Sequence, residues 1–267
     1  MHAGRGGAGP VRGRGNPGCG YHQHFAGHIA AIVASKRKPL TPASGDDVSA
    51  FLAKVAATPA PARRDGDCGR LLFAMDATAS REPSWDQACQ IQGSMFETTA
   101  SLGGLDVQLC YYRGFNEFRS TAWVADARAL AAQMSRVHCA GGATQIGRVL
   151  AHAKAQHRDR RLNALVFVGD CMEEDVDRLC AAAGELGLLG VPAFMFHEGG
   201  EAIAARTFRE IARLTRGAYC RFEPGSAEQL RQLLTAVAVY AAGGRTALQD
   251  FSQRHGELTR LLAHQID

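Results

Sequence analysis

The sequence predicts an α/β domain: a doubly wound, mostly parallel sheet with one antiparallel edge strand and helices on both faces. Three observations lead there. Short apolar runs alternate with helical-period segments along most of the chain, the pattern of a parallel sheet covered on both sides. Two of those runs, residues 70–75 and 162–168, are almost wholly apolar and each leads to an aspartate, as buried strands do when they end in a loop. Only residues 113–117 separate the run at 105–112 from that at 118–124, too few for a helical crossover, so these two strands pair as an antiparallel hairpin.

Taken in order, residues 1–45 are rich in Gly, Arg, Pro and Ala and offer too little apolar surface to offset the entropy of ordering, so a disordered basic tail is expected. In 46–68, Val48, Phe51, Leu52 and Val55 fall on one side of a short helix, followed by a Pro/Ala linker, and the folded domain, 69–243, begins near Cys68. After the strand at 70–75, Ser84-Trp85-Asp86-Gln87 reads as a capping box that opens a helix, and Gly103-Gly104 stops it. The hairpin follows, then helices at 125–137 and 144–155 around a Gly-containing loop at 139–143. Strand 162–168, helix 174–186, strand 191–196, helix 202–214 and strand 218–222 complete the alternation. Ser226 opens a further helix carrying Leu230, Leu233, Leu234 and Val237. Beyond Gly243-Gly244, residues 244–267 form an amphipathic helix with Leu248, Phe251, Leu258, Leu261 and Leu262, suited to its own domain or to a partner.

Composition excludes several function classes. The 267 residues are 46% hydrophobic and 21% charged, ordinary for a globular protein. No apolar run nears the roughly 20 residues of a membrane helix, so no membrane span is expected. The formal net charge is +4, but residues 1–70 hold ten of the 30 Lys/Arg and four of the 26 Asp/Glu, so the basic excess lies in the tail. The folded part shows no basic stripe interleaved with aromatics, which argues against specific nucleic-acid binding. Eight cysteines without a Cys-x-x-Cys pair form neither a disulfide scaffold nor a zinc ribbon; Cys89, Cys110 and Cys180 fall at apolar-phase positions, and a reducing, cytoplasmic location is expected. The run at 25–34 has the length of a signal-peptide core but contains Gly27 and His28 and runs into Ser35-Lys36-Arg37-Lys38, so export is not expected. Cys19, His22, His24 and His28 match no standard metal-binding spacing.

In open parallel sheets, ligands sit beyond the carboxyl ends of the strands. That rule singles out the turn after Met75, the loop before Thr144 and the turn after Val168. The first supplies Asp76, Thr78 and Ser80, the second Thr144 and the third Asp170. All are hard oxygen donors, which favours magnesium, manganese or calcium over zinc or copper. With two charged ligands among five, a divalent ion keeps enough charge to attract an acidic side chain. The blander alternative leaves Asp76 and Asp170 capping their own turns and Thr144 capping its helix. Glu117, Glu173 and Glu174 are rim positions, usually solvated; Cys171 reads as structural and His197 as a hydrogen-bonded loop histidine.

The strings Asp76-Ala77-Thr78-Ala79-Ser80, Thr144 in Gly141-Gly142-Ala143-Thr144-Gln145 and Asp170 in Val168-Gly169-Asp170-Cys171 resemble the metal-ion-dependent adhesion site of von Willebrand factor type A (VWA) domains, a Rossmann-like family. The resemblance covers about residues 69–242 and departs from the family pattern at Thr78, where Ser is usual. It implies an intracellular, bacterial-type protein-binding module. Thr78, Ser80 and Thr144 would coordinate Mg²⁺ (or Mn²⁺ or Ca²⁺) directly, Asp76 and Asp170 would act mainly through water, and a partner with an exposed Asp or Glu would complete the shell. An enzyme of different class is the alternative: a haloacid dehalogenase-like phosphatase with Asp76 as nucleophile and Asp170 and Asp175 holding magnesium. It wants a second acid where Thr78 stands, and a Thr hydroxyl cannot shuttle a proton at neutral pH.

Overall fold

The structure, a computed structural model, describes residues 45–58, 68–223 and 226–263. The predicted tail up to residue 44, most of the linker and the Cys19/His22/His24/His28 group lie outside the described residues. Along the chain come α1 (Gly45–Ala57), β1 (Gly69–Asp76), α2 (Glu82–Ile91), α3 (Gly93–Thr99), β2 (Leu105–Arg113), β3 (Glu117–Ser120), α4 (Ala127–Met134) and α5 (Ile146–Asp159). Then follow β4 (Ala164–Gly169), α6 (Val176–Leu188), β5 (Ala193–Glu198), α7 (Ala202–Leu214), β6 (Ala218–Phe222) and α8 (Ala227–Ala263).

The six strands lie in the order β3-β2-β1-β4-β5-β6, with β3 antiparallel to β2 and all other neighbours parallel. The α/β class and the antiparallel edge strand are therefore as the sequence predicts. β1 is central because all eight of its residues are buried, and the strand period of two divides them between two cores. Leu71, Phe73 and Met75 join Val166, Val168, Phe194 and Phe196 in one core, completed by helices that include α1 and α8. Leu72 and Ala74 join Leu165, Phe167 and Met195 in the other, under α5, α6 and α7. Chain order moves from β1 outward to β2 and β3, then crosses to β4 on β1's other side. The ends of β1 and β4 therefore flank a switch point, where loops diverge and leave a crevice.

Several local expectations are corrected. Phe51 and Val55 of α1 are buried in the first core, with Phe51 edge-on to Phe194 and Phe196 at 6.4 and 5.4 Å between ring centroids. The core thus starts upstream of Cys68. Ser84 does not open a helix: α2 already starts at Glu82, with Pro83 in its first turn, where a missing N–H costs nothing. β3 stops at Ser120, and Val124 keeps only an isolated bridge to Val107. Trp123 between them turns away, with the Arg70 guanidinium 3.9 Å above its ring and its indole N–H on Gln156 Oε1. The break at Gly243-Gly244 is present inside α8 as a left-handed Gly244 (φ 74°), and Leu248 beyond it is fully buried, so the turn that carries Leu248 packs on its own domain. No helix among the described residues is long and apolar enough to cross a membrane.

Candidate metal centre

Asp76 is the last residue of β1 and has no exposed surface. The Thr78 backbone N–H donates to its Oδ1 at 2.7 Å, an Asx-type turn that folds the chain back at once. Ala77 is held on both sides: its N–H donates to the Tyr112 carbonyl, and its own carbonyl accepts from the Ala140 N–H, each at 3.0 Å. The turn is therefore tied to β2 and to the 139–145 loop. Thr78 Oγ1 lies 3.4 Å from Ser80 Oγ, and Ser80 Oγ donates to Asp170 Oδ2 at 2.7 Å. Met75 pairs with Val168 across β1 and β4, which brings the two aspartates to the same sheet edge.

Thr144 reaches this edge by a different route. Its hydroxyl accepts from the Glu173 N–H at 3.0 Å, and its own N–H donates to Glu173 Oε2 at 3.2 Å. Glu174 accepts from the N–H groups of Ile146 and Gly147, closing the amino end of α5 with a carboxylate where the helix dipole favours one. The loop after Asp170 is thus stitched to the start of α5. Thr144 does not cap that helix; Glu174 is a half-buried cap of it, while Glu173 is exposed at the rim and is tied there to Thr144. Glu117 instead pairs with Arg113 at 3.1 Å and Arg119 at 3.5 Å. The loop needs Gly142, because a Cβ there would stand 2.2 Å from the Gly114 carbonyl oxygen.

The electrostatics of the edge are strained. Burial raises the pKa of Asp76, the hydrogen bonds of Thr78 lower it, the charge of Asp170 raises it and that of Arg81 lowers it. Asp76 Oδ2 and Asp170 Oδ1 are buried without a hydrogen-bond partner among the described residues. Burying a carboxylate oxygen with no donor is costly, and such atoms call for a ligand. Two unpartnered carboxylate oxygens next to the hydroxyls of Thr78 and Ser80 fit a hard divalent cation, so these residues, with Thr144 alongside, are the ones that would hold it. Such an ion would supply positive charge to orient an incoming carboxylate. Cys171 Sγ lies within 4.8 Å of carboxylate oxygens of both aspartates. Burial first, then Asp170, pushes its thiol up to about 12, so it stays protonated and inert at neutral pH.

Sequence reasoning missed the support beneath this edge. Arg81, one residue past Ser80, is 1% exposed and forms an ion pair with Glu198 at the end of β5. The Ser84 hydroxyl donates to the same carboxylate, at 2.6 Å to Oε1. A signal was available: Glu198 is a third acidic residue at the carboxyl end of a buried strand. Arg81 carried none, since an Arg after Ser80 reads as a surface residue. His197, fully buried, has Nε2 3.1 Å from the Asp170 carbonyl oxygen and Nδ1 3.0 Å from the Tyr219 hydroxyl. Burial lowers its pKa, so the ring is neutral, and a carbonyl can only accept, which places the proton on Nε2 and makes Nδ1 the acceptor of the Tyr219 O–H. His197 therefore anchors the backbone of Asp170. Asp175, required by the phosphatase alternative, caps α6 by accepting from the Arg178 N–H at 2.9 Å.

No protein-family model matches the sequence, and no curated protein matches it by sequence. Solved structures do match its shape. The VWA domain of SpRpn10 superposes with a TM-score of 0.50 at 14% identity, over 67% of this chain and 98% of that one. The D319A mutant of the PilB minor pilin from Streptococcus sanguinis gives 0.52 at 9% identity, over 71% of this chain and 64% of that one. The pilus adhesin SpaC from Lactobacillus rhamnosus GG gives 0.53 at 9% identity, over 73% of this chain and 33% of that one. At such identities the likeness is one of fold: this chain has a VWA-like α/β fold.

Proposed function

We propose that the chain is a protein-binding module that holds a divalent cation, Mg²⁺ or Mn²⁺, through Asp76, Thr78, Ser80, Thr144 and Asp170, and presents it to an acidic side chain of a partner protein. The observation that carries this reading is the pair of buried, unpartnered carboxylate oxygens, one from each of two neighbouring strand ends, facing hydroxyl donors at the switch point of the sheet. With two carboxylates and three neutral oxygens, a bound ion retains attraction for one more anion. The ion is the physical link between a site whose one basic neighbour, Arg81, is buried and paired with Glu198, and an acidic partner.

The reading extends to the rest of the chain. The folded unit includes α1, the sequence before it has the composition of a basic tail, and the cysteines suit a reducing, cytoplasmic setting. A binding module fits these residues better than a hydrolase: Cys171 is protonated, His197 has both ring nitrogens engaged and Asp175 caps its own helix, which leaves none of the three free to serve Asp76 as acid or base. Titration calorimetry with MnCl₂ on the wild type and on Asp76→Asn tests the cation site, and a phosphate-ester panel run beside it tests the enzyme reading. Saturable Mn²⁺ binding lost in the variant, without turnover, supports the module. Turnover abolished by Asp76→Asn would make the phosphatase the better account.

A further inference from the structure

Beside the cation site lies a cavity of about 350 Å³ that the proposed reading leaves unused. Both of its walls are anchored to the metal loop. One is α2, which begins at Glu82, two residues past Ser80. The other is the segment ending at Cys139, whose next residue, Ala140, donates its N–H to the Ala77 carbonyl at 3.0 Å. The floor is apolar, formed by the buried side chains of Trp85, Met134 and Val137, and the Trp85 indole N–H is already satisfied by the Met134 carbonyl at 3.1 Å. The floor therefore offers no polar group of Trp85 to a ligand.

The mouth has the opposite chemistry. Glu82 and Asp86, one helical turn apart on the same face of α2, line it with exposed carboxylates, and neither forms an ion pair among the described residues. Their field reaches inside. The two thiols on the wall, Cys89 and Cys139, are each pushed up to about 11, first by burial and then by these negative charges: Asp86 for Cys89, and Glu82 ahead of Asp76 and Asp86 for Cys139. Of the guanidiniums nearby, Arg81 is buried and committed to Glu198, Arg113 is held by the His138 carbonyl at 2.6 Å and by Glu117, and Arg136 is exposed between the lining residues Ser135 and Val137. One further titratable group, His138, stands at the exposed mouth. An apolar slot with an anionic rim matches a side chain that is apolar along its stem and cationic at its tip.

We infer that this cavity receives a lysine or arginine side chain of the protein partner, next to the partner carboxylate taken by the cation site; this rests on the proposed reading of that site. The recognised element is then a short acidic–basic pair rather than a single acidic residue. An acidic patch on the partner would bind the cation but be repelled by Glu82 and Asp86, so the cavity separates partners that the ion alone would not.

The test uses the full chain and fluorescein-labelled, end-blocked peptides that carry one aspartate and, at a series of spacings from it, either lysine or its uncharged isostere norleucine. Affinities are read by anisotropy in MnCl₂. At a favourable spacing the lysine peptide should bind about fivefold tighter than its norleucine twin, the order expected for an ion pair at the surface. The Glu82→Gln/Asp86→Asn variant should bring the twins together without weakening the norleucine peptide, whose aspartate no longer meets the two rim charges. Equal affinity of the twins at every spacing, or a lysine advantage that survives in the variant, overturns the inference. The same titrations in EDTA keep the two claims apart: a lysine advantage that persists without metal keeps the cavity and sinks the cation reading. Metal-dependent binding with no lysine advantage does the reverse.

Discussion

Asp76→Asn should have opposite effects on stability with and without metal. The side chain is fully buried, and its carboxylate and that of Asp170 have oxygens within 4.8 Å of each other. Two unit charges at that distance repel by about 3.5 kcal/mol at an effective dielectric constant of about 20. Arg81 offsets part of this, so a net relief of about 1–2 kcal/mol is expected when Asp76 loses its charge; the Asn carbonyl can still accept the Thr78 N–H. At about 2–4 °C per kcal/mol for a chain of this size, the variant should melt about 2–8 °C above the wild type in EDTA. In Mn²⁺ the order should invert. A cation at a hundred times its Kd stabilises the wild type by about 2.7 kcal/mol, and the variant has lost that gain. The pH dependence follows from the direction of the shift. Because the folded-state pKa of Asp76 is raised, the destabilisation it causes is fully present above that pKa and is relieved as the pH falls through it toward the ordinary carboxylate range. The EDTA difference between variant and wild type should therefore shrink on acidification. Scanning calorimetry at several pH values, with and without MnCl₂, checks all three statements. A variant that melts below the wild type in EDTA would refute the repulsion, and equal Mn²⁺ shifts in both proteins would place any metal elsewhere.

Four further outcomes are expected. Glu198→Ala should cost about 3–5 kcal/mol in urea unfolding, because it leaves the Arg81 guanidinium buried without its partner, and Arg81→Met/Glu198→Ala should recover most of the loss; a double variant as unstable as the single one counts against the pair. Phe51→Ala should cost about 3–5 kcal/mol. A chain beginning at Cys68 should lose cooperative unfolding while one beginning at Asp46 keeps it, since α1 covers Phe194 and Phe196; retained cooperativity after removal of α1 would mean it is peripheral. Iodoacetamide should label Cys171 in the native protein far more slowly than a free thiol between pH 7 and 9, with the rate still climbing toward about pH 12, where its thiolate forms; a labelling plateau near the ordinary thiol pKa would show that burial and Asp170 do not act on it.

The fold class and the meeting of Asp76, Thr78, Ser80 and Asp170 at one sheet edge were legible in the sequence because both are written in local pattern. Residues 71–75 and 164–168 are apolar throughout, as a strand buried on both faces requires, and each run leads to an aspartate at a strand end. The hairpin was legible from its short connection alone. Alternate spacing in Asp76, Thr78 and Ser80 placed three oxygens on one turn, and their bonds to one another and to Asp170 join them at one edge. What tertiary structure decided were the roles of residues whose partners lie far away in the chain. Ser84 has the local spacing of a cap, but Glu198, 114 positions on, holds its hydroxyl, because a buried Arg81–Glu198 pair needs another hydrogen bond to be tolerated. Glu174 looks like a solvated charge until the start of α5 is folded against it. α1 looks like a separate helix until Phe51 meets two rings contributed by β5, and the cavity between α2 and the segment ending at Cys139 exists in neither piece of sequence. Pattern reports the face a residue presents; only the packed sheet determines what that face meets.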